Sequence, residues 1–281
     1  MTATALPTLA AHDGLTLPAV GFGTYQLRGS AGVATIVRAL HTGYRVLDSA
    51  VGYENEGAVG QAVAQSGVPR DEIVVTSKLP GRFQAAPDAA ATVEESLYRL
   101  GLDHLDLYLI HWPNPRIDRY VEAWGALIEV QRRGLVRHIG VCNFLPEHLD
   151  RLERETGVLP AVNQIELHPY FPQAVQRADD ARRGIITQAW SPLGRANSLL
   201  QEPAIAGIAD RIGVSPAQVV LRWEVDLGVM PLPKATGAER QQQNLDLMGF
   251  ALGDEDRAAL DALARPDGRT FDQDPARYEE L

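Results

Sequence analysis

The stretch GYRVLDSAVGYENEGAVG (residues 43–60) reads as a strand running into a helix. Arg45-Val46-Leu47-Asp48 is a short apolar run closed by a carboxylate, and a helical pattern follows from about residue 54 to 65. Asp and Ser commonly begin helices and Glu favours the first turn, so Glu54 and Glu56 read as first-turn residues with no chemistry assigned. Asp48 and Tyr53, five residues apart, also admit a catalytic reading. The junction alone does not choose between capping and chemistry. What decides the fold is that the strand-to-helix unit recurs along the chain.

The first strand of the series is residues 19–22, followed by a helix over 30–41. After the opening unit come EIVVTSKL with a helix over 87–100, LDLYLIHW with one over 119–133, and IGVCNF with one over 146–155. AVNQIEL leads to a helix over 173–183. IITQAWSP leads to a region ending at Leu227, whose helix starts at Ser215-Pro216, an N-cap followed by proline at the first helical position. VMPLP precedes a helix over 238–245. Eight alternating units indicate parallel βαβ connections, and a (β/α)₈ barrel of ~250 residues fits this length. A doubly wound sheet fits less well, because GFGTYQ carries only the first two glycines of a dinucleotide fingerprint. PTLAAHDGLTLPAV reads as a hairpin turning at Asp13-Gly14 that could cap the N-terminal mouth. An extra helix over 254–264 and a polar tail over 265–281 complete one domain, residues 1–281, with no linker or short repeat.

Composition narrows the function. Hydrophobic residues make up 45% and charged residues 22% of the chain, as expected for a globular protein rather than a disordered one. The net charge of −10 argues against general binding to nucleic acid or an acidic membrane. No apolar run reaches spanning length, and residues 1–9 lack the basic and apolar regions of a secretory signal. The one cysteine, Cys142, forms no internal disulfide, which suits a reducing, cytoplasmic setting. The 26 basic residues include only two lysines, Lys78 and Lys234. A lysine is a compact charge with a tunable pKa and an arginine is not, so the two positions stand out.

In a barrel, chemistry gathers at the C-terminal strand ends. Those ends carry Asp48, Lys78, His111, Asn143, Gln164, Ser191 and Lys234, and both lysines are among them. Seven polar residues around one rim suggest a site. A phenol is a weak acid near neutrality unless a neighbouring ammonium stabilises its anion, and a carboxylate can hold that ammonium in place. Asp48, Tyr53, Lys78 and His111 together could give a proton to a developing alkoxide or take one from an alcohol. Ser191 has no evident His partner, so acyl transfer is disfavoured. The seven histidines are scattered without H-x-x-x-H, so no metal site is expected.

The stretches GYRVLDSAVGYENEGAVG, LDLYLIHWP, VRHIGVCNF, NQIELHPY, QAWSPLGR and LPKATGAERQQQN, in this order, resemble the aldo-keto reductase superfamily over nearly the whole chain. The resemblance implies NADPH-dependent reduction of small aldehydes and ketones. Tyr53 would be the general acid, with Lys78 and Asp48 lowering its pKa and His111 orienting the carbonyl. Tyr25 and Trp112 would line the substrate pocket. Asn143 and Gln164, with Cys142 nearby, would hold the nicotinamide carboxamide, and Trp190 would stack on the ring. Ser191, Pro192 and Leu193 would begin a loop over the pyrophosphate, while Gly23, Thr24 and Asp48 would also approach the cofactor. Lys234 and Arg240, flanking Ala235 and Thr236, would take the 2′-phosphate, and Gln243 and Asn244 would meet the adenine. A monomer is the family's usual state.

Some positions depart from the family. Cys142 and Ala235 stand where Ser is common, and Gln243 where Glu is common. Tyr25 replaces a frequent Trp and Pro80 a frequent aromatic. The loss of a hydroxyl at Ala235 leaves Thr236 as a substitute donor and keeps an NAD-preferring alcohol dehydrogenase as an alternative. A barrel that senses NADPH without turning it over is another, although a sensor has no need of the four-residue set. Within the superfamily the resemblance is strongest to short-tailed bacterial members that reduce sugar-derived diketo acids and small dicarbonyls. A short tail implies an open pocket. His168, Trp124 and Trp223 read as structural, Arg132-Arg133 as a helix C-terminal pair, and Arg195 as either a phosphate contact or a solvent-facing residue.

Overall fold

A computed structural model describes residues 6–195 and 198–280. Residues 1–5, part of the N-terminal stretch that lacks the pattern of a secretory signal, lie outside the described residues, as does Leu281 at the end of the tail. The chain opens with an antiparallel hairpin, β1 (Thr8–Ala10) and β2 (Thr16–Pro18), turning through Asp13-Gly14. Eight parallel strands follow: β3 (Phe22–Gly23), β4 (Val46–Asp48), β5 (Val74–Leu79), β6 (Leu105–Ile110), β7 (Val136–Cys142), β8 (Val162–Glu166), β9 (Ile186–Trp190) and β10 (Met230–Pro231). They lie in sequence order, each paired with the next, so there is no reversal of strand order as in a doubly wound sheet.

The helices are α1 (Gly29–Thr42), α2 (Glu56–Ser66), α3 (Ala86–Leu100), α4 (Tyr120–Arg132), α5 (Pro146–Thr156), α6 (Ala174–Arg182), α7 (Pro203–Ile212), α8 (Pro216–Asp226), α9 (Ala238–Leu245) and α10 (Asp254–Asp261). The additional helix α7 precedes α8 and was not separated in the sequence reading. Gly213 ends it, and Ser215 starts the next helix by accepting from the Gln218 backbone while the Gln218 side chain accepts from Ser215 N–H. Among the described residues no single helix is long and apolar enough to cross a membrane.

The barrel closes between the first and last parallel strands. Gly21 N–H donates to Pro231 O at 3.0 Å and Gly23 N–H to Pro233 O at 3.1 Å. Proline has no N–H, so this seam is bonded from one side only, and both closing strands are short. The approach is close: a Cβ on Gly23 would stand 2.8 Å from Leu232 O. The paired glycines of GFGT therefore serve closure.

Side chains alternate along each strand, and this layers the barrel interior. Leu15 and Leu17 of the hairpin segment pack with Val46, Leu107, Val162, Ile186 and Met230 in an apolar plug at the N-terminal end. Two residues further along three of these strands the inward positions turn polar: Val46 gives way to Asp48, Val162 to Gln164 and Ile186 to Gln188. The plug makes the barrel a blind cup with its polar layer towards the C-terminal mouth. Trp124 and Trp223 are fully buried in the shell between strands and helices, in keeping with a structural role.

Gly60, which closes the opening stretch, lets α2 lie against the end of α3. A Cβ there would fall 1.8 Å from Leu100 O, a backbone atom, whereas one on Gly57 would meet Arg99 O at an ordinary 3.6 Å. Gly60→Ala is expected to lose about 3 kcal/mol of stability through overpacking. Gly57→Ala should be neutral or slightly stabilising, as for alanine in a helix. Urea denaturation of both variants checks the contrast.

Candidate active site

The opening stretch supplies two of the central groups. Asp48 ends β4, and a single 3₁₀ turn, Val51–Tyr53, carries the phenol over the mouth. Strand β5 runs further than β4. Asp48 is level with Thr76, so Lys78 overhangs and its side chain turns into the cup. There Lys78 Nζ is fully buried and donates to Asp48 Oδ2 at 2.8 Å, to Ser49 O at 2.8 Å and to the Tyr53 hydroxyl at 3.3 Å. The other Asp48 oxygen accepts from Gln164 Nε2 at 2.8 Å. Asp48, Tyr53, Lys78 and Gln164 thus form one connected group.

The electrostatics differ from the sequence expectation. Burial alone would lower the Lys78 pKa, but the Asp48 carboxylate reverses this and holds it above its ordinary value, so the ammonium stays charged. Burial pushes the Tyr53 phenol up to about 12; Lys78 pulls it down and the Asp48 charge pushes it up. The resemblance implied that Lys78 and Asp48 both lower this pKa. Here only Lys78 does so directly, and Asp48 acts by keeping Lys78 charged. The result is a phenol that keeps its proton at neutral pH. Burial likewise pushes the Cys142 thiol well up, so it is a neutral group.

His111 follows β6, its ring edge-on to Tyr53 with centroids 6.1 Å apart. Tyr25 packs edge-on against Tyr53 with centroids 5.0 Å apart and is 39% exposed, which leaves it at the open mouth. Trp112 is buried, with its ring 4.5 Å from that of Tyr278 in the tail. The short tail therefore does not leave this side open. It folds back over the mouth and brings Glu280 Oε1 to 2.7 Å from His111 Nδ1. That contact is close but out of line for a directed hydrogen bond. Arg195 lies between the rings of Tyr25 and Phe271, at 4.8 and 4.7 Å from their centroids, so it makes cation–π contacts.

The residues assigned to a nicotinamide surround the same mouth. Asn143 and Ser191, just past β7 and β9, both have left-handed backbones with φ of 62° and 51°. Such conformations gather at functional sites. Asn143 donates to His111 O at 3.1 Å and accepts from Trp190 Nε1 at 2.8 Å, and its amide keeps a hydrogen and a lone pair for a further partner. Gln164 spends both amide hydrogens on Asp48 and Gln188. Among the described residues nothing donates to its carbonyl. Pro192 is buried and Leu193 half-buried at the start of the loop.

A second cluster lies where β10 leads into α9. Lys234, Thr236 and Arg240 are exposed, and among the described residues neither Lys234 nor Arg240 has an ion-pair partner. Ala235 and Asn244 are buried, and Gln243 donates to Glu239 at 3.2 Å. Gly237 caps α9 without a side-chain bond, and among the described residues nothing accepts from the helix's first N–H groups. Gly23 and Thr24 link the clusters: Gly23 bonds to Pro233 O, while Thr24 Oγ1 donates to Asp48 O at 2.8 Å.

Several residues of this framework have partners that their local sequence does not show. Glu56 stands in the first turn of α2, as expected, and is also buried, accepting from Ser77 at 2.5 Å and from Arg99 at 2.6 Å, so it ties α2 to β5 and α3. Glu54 precedes α2 and pairs with Arg28. Asn55, also buried, donates to Thr24 O at 2.7 Å and accepts from Ser49 at 2.8 Å, locking the loop beside Asp48. Gln241 donates to Ala235 O and Thr35 O and so fixes the loop that carries Lys234. His168 is buried between Glu166 and Thr270, in keeping with a structural role.

A blind parallel barrel with a carboxylate, an ammonium and a phenol joined at its mouth defines an enzyme of the (β/α)₈ class with acid–base equipment. Residues 19–265 match the aldo/keto reductase family. A 2,5-diketo-D-gluconic acid reductase B from Corynebacterium sp. (strain SHS752001) is 50% identical over 276 residues, spanning 98% of this chain and 99% of the relative. A solved structure of a Gox0644 mutant in complex with NADPH is 38% identical with a TM-score of 0.93, covering 98% of this chain and 100% of the other. A Bombyx mori aldo-keto reductase in complex with NADP is 33% identical with a TM-score of 0.89, covering 99% of both chains. The chain belongs to the aldo/keto reductase family.

The buried pair predicts strong coupling. Asp48→Asn should cost about 3–5 kcal/mol, because it leaves a buried ammonium without its counter-ion. Combining it with Lys78→Met should cost less than the sum of the two single changes by about 1–3 kcal/mol. A double-mutant cycle in denaturant checks this.

Proposed function

We propose that the protein reduces aldehydes and ketones to alcohols with NADPH, and that Tyr53 gives the proton. The observation that carries this reading is Lys78 Nζ, fully buried and shared between Asp48 and the Tyr53 hydroxyl. The phenol is protonated at neutral pH, as an acid must be before the reaction. As the carbonyl oxygen gains charge, Tyr53 releases its proton, and the ammonium 3.3 Å away stabilises the phenolate that results. Asp48 keeps that ammonium charged and in place. His111, beside Tyr53, orients the carbonyl oxygen.

The residues present suit NADPH, which supplies the hydride when bound. Gln164 has a carbonyl free to accept from a carboxamide, and Asn143 has both a hydrogen and a lone pair to spare. Trp190, held by Asn143, offers an indole face. Lys234 and Arg240, without ion-pair partners among the described residues and next to the N-terminus of α9, suit a 2′-phosphate by charge and by hydrogen bonding. Gln243 and Asn244 then meet the adenine, and Gly23, Thr24 and Ser191 to Leu193 border the path between the two ends.

Tyr53→Phe is expected to bind NADPH normally and to lose about 10²–10⁴-fold in turnover of a reactive aldehyde such as methylglyoxal. Wild-type rates in that variant would remove Tyr53 from the mechanism. Arg240→Ala should weaken NADPH by about tenfold or more while leaving NADH nearly unchanged. Equal weakening of both, measured by quenching of protein fluorescence, would show that Arg240 does not meet the 2′-phosphate.

A further inference from the structure

The tail is fastened at several points. Asn114 clamps the backbone of Glu280, donating through Nδ2 to its O at 2.8 Å and accepting from its N at 3.0 Å. Arg116 N–H donates to Glu279 at 2.7 Å, and Tyr278 packs on Trp112. Gly81 N–H donates to Glu280 Oε2 at 3.0 Å, leaving Oε1 against His111. The other acidic side chains of residues 272–280 pair with arginines: Asp272 and Asp274 with Arg277, and Glu279 with Arg116. Of these acidic side chains, Glu280 alone is turned on a group of the site. Burial would raise its pKa, but its contact with His111 and the Gly81 N–H bring it below the usual value, so it is an anion at neutral pH. The charge of Arg82 also reaches it, but Arg82 is exposed and screened by water.

We propose that Glu280 determines substrate class: a fixed negative charge beside His111 that disfavours carbonyl compounds bearing an anionic group and admits neutral and cationic ones. The proposal rests on the reading that Tyr53 and His111 meet the carbonyl oxygen. A carbonyl seated there brings its remaining groups near a carboxylate that is only 17% exposed and poorly screened. Discrimination by a misplaced like charge is a general device of specificity. It runs against the diketo acids suggested by the sequence resemblance.

The test uses three para-substituted benzaldehydes with NADPH: 4-formylbenzoate (anionic), methyl 4-formylbenzoate (neutral) and 4-(trimethylammonio)benzaldehyde (cationic). In Glu280→Gln the kcat/KM ratio of anionic to neutral substrate should rise about tenfold, and the ratio of cationic to neutral should fall. Asn114→Ala, which frees the Glu280 backbone, should shift both ratios in the same directions. A loosened tail without a charge effect would move both ratios together or neither, and that result overturns the proposal. If wild-type protein reduces none of the three, the carbonyl-reductase reading fails and the filter falls with it. If it reduces them but the ratios are indifferent to Glu280, only the filter fails.

Discussion

The structure turns on one buried ammonium. Lys78 Nζ has no exposure, and an uncompensated charge in such a place would cost several kcal/mol. Its neighbours follow from that constraint. Asp48 must reach it from the adjacent strand, so β4 has to stop where β5 continues. Ser49 must turn its carbonyl inward, which Asn55 secures through the serine side chain. Gln164 must occupy the second Asp48 oxygen from across the barrel, and Gln188 then orients Gln164. Four strands are committed to holding one charge, and the Tyr53 hydroxyl is the ammonium's remaining partner.

The hairpin makes that arrangement effective. Leu15 and Leu17 pack into the N-terminal end of the cup, so the polar layer stands on apolar packing and faces the mouth. Charges at such a depth interact through a medium less polarisable than water, which strengthens the Asp48–Lys78 attraction and the burial effect on Tyr53 alike. An acid held protonated by burial, next to a cation ready for its anion, is suited to giving up a proton only when a substrate oxygen demands one.

Much of this was legible in the sequence, for a physical reason. Parallel strands buried on both faces are largely apolar, so Asp48, Lys78, His111 and Asn143 stood out at or just past the ends of their runs, whereas Gln164 lies in the middle of β8. The periodicity that showed the strands also placed the rim. What stayed hidden were long-range partners whose local appearance was ordinary. Glu56 and Asn55 look like the start of a helix, and only the approach of β5, α3 and the Thr24 loop gives them other bonds. Gln241 sits in a polar helix and bonds to Thr35, 206 residues away. Glu280 lies in a tail with no pattern, and Asn114 holds it from 166 residues away. The separate helix α7 was missed because its end and the next cap lie only three residues apart.

The two lysines now separate into different kinds of constraint. At position 78 the enclosure itself selects lysine. Three acceptors converge on one nitrogen within 3.3 Å, and a planar guanidinium could not present a single point to all three in a sealed cup. Position 234 is exposed, and nothing among the described residues pairs with it, so the protein around it imposes no such geometry. The loop nevertheless is held firmly, with Gln241 bonded to Ala235 O and Arg38 to Thr236 O. A cation without an internal partner on a braced loop gains no stability for the fold. Such a cation stays available to an external anion, the role proposed above for Lys234 at the phosphate-bearing end of the cofactor, and that role does not depend on the chemistry around Tyr53.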